Sequence, residues 1–182
     1  MKKILIPIFF VSLLLLGGCG EKLNNTPTKQ VEMFFMNYQT LNQKVISDLD
    51  NVLKDDNTMT ESQKEKYKKI MKKHYKNLTY DIKDEVVNGD TAVVTVEIEV
   101  YDYSKVKASI DEYAKNHSDE FLDENNNYSQ EKFIDYRLAE LEKVNDKVRY
   151  TLDLNLTKVD DKWELNKISS LDEDKILGIY EY

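Results

Sequence analysis

One cysteine, two prolines and five glycines in 182 residues leave this chain few of the residues that crosslink, break or loosen a fold. With Cys19 as the only thiol, no disulfide can form within the chain, and the fold must hold by packing. Beyond residue 20 the only glycines are Gly89 and Gly178, and the only proline is Pro27. Long flexible linkers need a Gly-, Ser- or Pro-rich composition, so one compact domain over residues 27–182 is expected. Positive charge is also in deficit. The net charge is −8, with 26 Lys and Arg against 34 Asp and Glu. That balance argues against nucleic acid as a partner, because such binding rests on neutralising phosphates.

The longest apolar run is short and lies at the start. Lys2 and Lys3 precede a charge-free stretch from Ile4 to Leu16, and the small residues Gly17 and Gly18 lead to Cys19. A positive start, an apolar core of roughly 7–15 residues and a small-residue cleavage site make a secretory signal. A membrane-spanning helix needs roughly 20 apolar residues, and Pro7 opposes a regular helix there. Leu16-Gly17-Gly18-Cys19 also resembles the lipobox of bacterial lipoproteins. That resemblance implies cleavage between Gly18 and Cys19, a diacylglyceryl group on the Cys19 sulfur, and attachment to the outer face of the cell membrane. Residues 1–18 are then a signal peptide and residues 19–26 a lipidated cysteine with a short tether. Losing Lys2 and Lys3 takes the net charge from −8 to −10. The seven residues from Gly20 to Thr26 reach at most about 25 Å, so the domain should sit close to the bilayer.

Along the domain, Thr26-Pro27 is a helix start, with Thr as N-cap and Pro in the first turn. Val31, Phe34, Phe35, Tyr38, Leu41, Val45, Leu49 and Val52 recur at helical spacing and predict one long helix ending at Asp55-Asp56-Asn57. Thr60 and Gln63 form a capping box before a second stripe of Tyr67, Ile70, Met71, His74, Tyr75 and Leu78. The period then becomes two. Tyr80, Ile82 and Val86 lead to a turn at Asn88-Gly89-Asp90, and Ala92, Val94, Val96, Ile98 and Val100 return. Two more helices follow, capped by Ser104 and Ser129. A second hairpin runs from Val148 through Asp160-Asp161 to Leu165, and a short final helix lies in the tail. The expected architecture is α+β, a curved antiparallel sheet of about four strands packed on a long N-terminal helix with three further helices.

Thr26-Pro27 with Phe34-Phe35, Val87-Asn88-Gly89-Asp90-Thr91-Ala92-Val93-Val94, and Leu154-Asn155-Leu156 with Val159-Asp160-Asp161-Lys162-Trp163-Glu164-Leu165 resemble small lipoproteins of Gram-positive bacteria that carry an NTF2-like (cystatin-like) domain. That family implies a cone, with the N-terminal helix lying in the concavity of the sheet, used as a ligand pocket, an enzyme site or a dimer surface. Phe35, Tyr38 and Tyr80 would line such a pocket. Two helices between the hairpins depart from the simplest family members.

Chemistry-bearing residues are sparse. His74 and His117, the only histidines, fall beside apolar helical faces at no metal-binding spacing and are read as structural. No glycine-rich phosphate loop and no serine elbow is present, and lipid would block the one thiol. The loop Asp123-Glu124-Asn125-Asn126-Asn127 alternates oxygen ligands, but Tyr128 and Ile134 stand where a calcium loop needs glycine and glutamate. Neither a metal nor a cofactor is expected. Lysines 64, 66, 68, 69, 72, 73 and 76 crowd one helix, a solvated face in the simpler reading and a face along anionic lipid in the sharper one. The expectation is a non-enzymatic binding or interaction module for a protein partner or a small apolar ligand. The alternative is an isomerase- or dehydratase-type enzyme with a buried carboxylate in the cone.

Overall fold

A computed structural model describes residues 25–181. The expected signal peptide, the cleavage point at Gly18 and Cys19, and most of the tether lie outside them. The described chain runs α1 (Pro27–Gln39), α2 (Gln43–Asp55), α3 (Glu61–Asn77), β1 (Thr79–Asn88), β2 (Thr91–Tyr101), α4 (Tyr103–Asn116), a single 3-10 turn (Ser118–Phe121), α5 (Gln130–Lys143), β3 (Lys147–Val159), β4 (Lys162–Leu165) and α6 (Ser170–Ile176). It is an α+β fold of six helices and one four-stranded antiparallel sheet in the order β1-β2-β3-β4.

The single long N-terminal helix is not what forms. The chain breaks between α1 and α2 at Thr40-Leu41-Asn42, where Leu41 takes φ 52°. The Thr40 and Asn42 amides close α1 on Met36 and Asn37, and the Asn42 side chain accepts from the Lys44 amide to start α2. An asparagine N-cap and a left-handed residue are a stop and a restart. The apolar stripe nevertheless continues across the break at Leu41, Val45 and Leu49, and then ends on the buried Leu53 rather than on Val52, which is 70% exposed.

The other starts follow their caps. Thr26 accepts from the Lys29 amide ahead of Pro27. Thr60 and Gln63 satisfy each other's backbone amides. Ser129 accepts from the Lys132 amide. The cap of α4 is Asp102 rather than Ser104. Its carboxylate accepts from the Lys105 amide and from the Ser104 hydroxyl, so the helix begins one residue before the serine.

In the sheet, β2 and β3 are central and their alternation is strict. Ala92, Val94, Val96, Ile98 and Val100 pair with Leu156, Leu154, Leu152, Tyr150 and Val148 on one face, all buried except the half-buried Val148. The opposite face is polar. Arg149 donates to Glu99 at 2.9 Å, Lys83 sits 3.3 Å from Glu97, and Thr95 donates to Asp153 at 2.7 Å. Both hairpins turn in two residues, with Gly89 at φ 59° in the first and Asp160 and Asp161 at φ 47° and 62° in the second.

Strand β1 departs from its expected phase. The register with β2 slips between Ile82 and Asp84. A bulge there moves every later side chain to the other face. Val86 therefore lies on the outer face opposite Val93, 57% exposed, instead of following Tyr80 and Ile82 inward. The same slip turns Glu85 toward α1, where it accepts from the Thr28 amide at 2.9 Å and the Thr28 hydroxyl at 2.6 Å. Helix α1 has no acidic residue in its own first turn, and β1 supplies the negative charge that its N-terminus favours.

Two apolar clusters result. One joins the inner face of the sheet to Val31 and Phe35 of α1, to Leu78 and to Ile176 of α6. The other lies among α2, α3, α4 and α5, with Tyr101 and Tyr103 at its edge. Tyr38 packs against both.

Candidate functional site

The three residues expected to line a pocket do not act together. Phe35 is fully buried and stacks on Tyr80 at 5.1 Å between ring centres, so this part of the α1–sheet interface is filled. One turn on, Tyr38 is only half-buried and meets Tyr75 edge to face at 5.0 Å. Tyr38 lies in the wall of a groove of about 320 Å³ where α1, α2, α3 and α6 converge. The groove has Leu49, Met71, Ile176 and Leu177 as its apolar lining, Tyr38, Tyr67 and Tyr75 as its aromatic walls, and Asp48 and Glu173 as its carboxylates.

Each wall follows from local sequence. Tyr67, Met71 and Tyr75 lie four residues apart on α3 and so form one ridge. Asp48 and Leu49 face that ridge from α2, which the break at Leu41 has set on a course of its own. Glu173 and Ile176 are brought in by α6, which starts on the Ser169 side chain and stops at Gly178, φ 69°. Burial raises the Tyr38 hydroxyl pKa above its ordinary value, and the charges of Glu173 and Asp48 raise it further. Tyr75 is raised by burial first, then by Tyr38, Tyr67 and Asp48. Both hydroxyls stay neutral at physiological pH, in a negative field.

On the far side of the Tyr67–Met71 ridge lies a smaller cavity of about 140 Å³ between α3, α4 and α5, lined by Ile70, Tyr103, Ile110, Phe133 and Leu141, with Arg137 beside it.

The two histidines part company. His74 is 1% exposed, and its Nε2 lies 2.8 Å from the Ile176 carbonyl oxygen. A carbonyl only accepts, so Nε2 carries the proton and the buried Nδ1 is left without a partner. Desolvation lowers its pKa to about 4, with nearby Lys147 adding in the same direction against the Ile176 hydrogen bond. His117 is exposed and stacks on Tyr113 at 4.0 Å.

The lysines of α3 are largely engaged with the protein itself. Lys66 and Lys69 reach Glu142 on α5 at 3.8 and 3.2 Å, Lys68 reaches Asp50 on α2 at 2.6 Å, Lys64 pairs with Glu61, and Lys73 lies 5.1 Å above the Tyr101 ring. In the loop after α4, Asp123 accepts from the Asn125 and Asn127 amides, which holds its pKa below the usual carboxylate range. Among the described residues, no group of three or more His, Cys, Asp or Glu is placed to hold a metal ion. No described helix is long and apolar enough to cross a membrane. Apart from tyrosines, the only buried polar side chains among the described residues are Gln63 and His74.

The sequence singled out Tyr38 but not its partners in the groove. Asp48 and Glu173 sit 125 positions apart, and nothing in their local patterns relates them.

No protein-family model matches the sequence, and no curated protein matches it. Among solved structures, the fold is similar to YcdA of Bacillus subtilis, described as a "putative lipoprotein". The two share 15% identity with a TM-score of 0.44, over 95% of this chain and 54% of that one. This chain thus spans about half the length of its structural neighbour.

Proposed function

We propose that this protein is a lipid-anchored, extracytoplasmic membrane lipoprotein whose folded domain is a non-enzymatic binding module, with the groove between α1, α2, α3 and α6 as its ligand site. The observation that carries the binding role is the groove itself. Its volume of about 320 Å³ lies at the small end of the range for small-molecule sites. Apolar residues of α2, α3 and α6 make its walls, and tyrosine hydroxyls supply polar points within it. The anchor rests on Lys2-Lys3, the charge-free run to Leu16 and the Leu16-Gly17-Gly18-Cys19 box. An NTF2-like relationship belongs to the same proposal, supported by α1 lying across an antiparallel sheet. The enzyme reading requires a buried carboxylate, and every described Asp and Glu is at least partly exposed.

The anchor is tested by intact-mass measurement of the full chain recovered from bacterial membranes. Loss of residues 1–18 and a diacylglyceryl mass increment on Cys19, both absent from Cys19→Ser, are the expected outcome. A wild-type chain found in the soluble fraction with its leader attached sinks the proposal. The binding role is tested by native mass spectrometry of the same extract, where a small molecule retained by the wild type should be lost from Met71→Trp, which fills the groove.

A further inference from the structure

The groove is apolar in its walls and acidic at two exposed points. Asp48 on α2 and Glu173 on α6 both line it, and neither forms an ion pair among the described residues. The nearby Asp50 and Asp172 differ, since Lys68 and Lys175 pair with them. Tyr75 adds an independent observation. It is only 6% exposed and lines the groove, yet its hydroxyl has no hydrogen-bond partner among the described residues. The hydroxyl oxygen is not sealed from solvent, so a molecule in the groove can reach it. Tyr38 and Tyr67 also line the groove with hydroxyls that make no hydrogen bond to the described residues. Tyr38 and Tyr75 meet at 73°, giving two aromatic walls of a corner.

Aromatic walls attract a cation through the ring quadrupole. The carboxylates attract it by charge, and an acidic protein surface raises the local concentration of cations. An anionic ligand would be repelled by Asp48 and Glu173, and a neutral apolar ligand gains nothing from them.

We infer that the groove bounded by Tyr38, Tyr67, Tyr75, Asp48 and Glu173 takes a small free organic cation, an alkylammonium whose charged head sits among the tyrosines and carboxylates and whose hydrocarbon part lies against Leu49, Met71 and Ile176. This deepens the proposed binding role and rests on it. The groove suits such a molecule because its apolar lining continues directly from the aromatic corner, so one ligand can satisfy both ends.

The test is isothermal titration calorimetry of the mature lipidated protein in a non-ionic maltoside detergent. Hexyltrimethylammonium, hexanol and hexyl sulfate present one chain with a positive, a neutral and a negative head. The cation should bind tightest. Asp48→Asn combined with Glu173→Gln should weaken it about tenfold, as expected for losing two solvent-screened charge contacts, with the melting temperature as a check on folding. If hexanol or hexyl sulfate binds as tightly as the cation, the ligand class is wrong while the groove stands as a binding site. Cation binding that is unchanged in the double variant places the probe elsewhere and overturns the inference. If the folded wild type takes up none of the three probes, both the inference and the groove's binding role fall.

Discussion

Acid should weaken this fold through one side chain. His74 is neutral and buried, with Nε2 donating to the Ile176 carbonyl and Nδ1 facing no partner. Its surroundings are the rings of Tyr75, Tyr101 and Tyr103, 5.9, 6.2 and 5.1 Å away, with Lys147 the nearby charge. A second proton would create a buried charge and a buried donor with nothing to receive it. The folded pKa lies near 4, below the ordinary 6.5. The unfolded chain therefore binds the proton more tightly, and protonation favours unfolding. The stability at stake is complete above about pH 6.5 and is lost progressively down to about pH 4. A difference of about 2.5 units corresponds to roughly 3 kcal/mol, of which about 2 kcal/mol is gone by about pH 5. The carboxylates held below their usual range, Asp56, Glu99 and Asp123, lose their contribution at lower pH and leave this window largely to the histidine. Urea unfolding at about pH 7.5 and about pH 5 measures the effect. His74→Gln should be less stable at neutral pH but should lose about 2 kcal/mol less than the wild type on acidification. Equal losses in the two proteins refute the reasoning. Should the variant not fold, the ring carbon resonances of wild-type His74 report its pKa directly, and a midpoint near the ordinary 6.5 refutes it too.

Two further predictions concern the supports around the groove. Gly178 ends α6 at φ 69°, its carbonyl accepts from the Tyr103 and Ser104 amides, and a Cβ there would run into the Tyr101 carbonyl. Gly178→Ala should cost roughly 3 kcal/mol in denaturant unfolding, and a loss below about 1 kcal/mol would show that the tail yields easily. Gln63 is buried, with its amide donating to the Glu131 carbonyl and the Asp135 carboxylate while its oxygen accepts from Thr60. Gln63→Ala should cost about 2 kcal/mol by loosening α3 from α5, and an unchanged urea midpoint would contradict it.

The parts of the fold that sequence reveals are those decided within a few residues. Thr60 and Gln63 announce a capping box, Asn88-Gly89-Asp90 and Asp160-Asp161 announce turns, and the alternations of β2 and β3 announce a sheet with one wet face. The break at Leu41 was hidden because the apolar spacing runs on through it to Val45 and Leu49. The bulge near Lys83 was hidden for a related reason. Val86 has the right spacing for the inner face, and only pairing with β2 shows that it lies on the outer one. For the site, Tyr38 could be picked out as a half-polar aromatic on a helical stripe. The carboxylates that give the groove its charge could not, because they meet only when α2 and α6 are folded against α3.

The residue ahead of the α1 cap ties the helix to the sheet. Asn25 clips onto β4, its side-chain oxygen accepting from the Trp163 amide and its side-chain nitrogen donating to the Trp163 carbonyl. An amide side chain thus does for one residue what a fifth strand would do for the edge of the sheet. If Cys19 is lipidated, this clip stands six residues from the anchor. The clip fastens the start of α1 to the short β4, while the groove is built from α2, α3, α6 and the far end of α1. The root of the domain and the proposed binding groove thus share only α1, and they sit at its opposite ends.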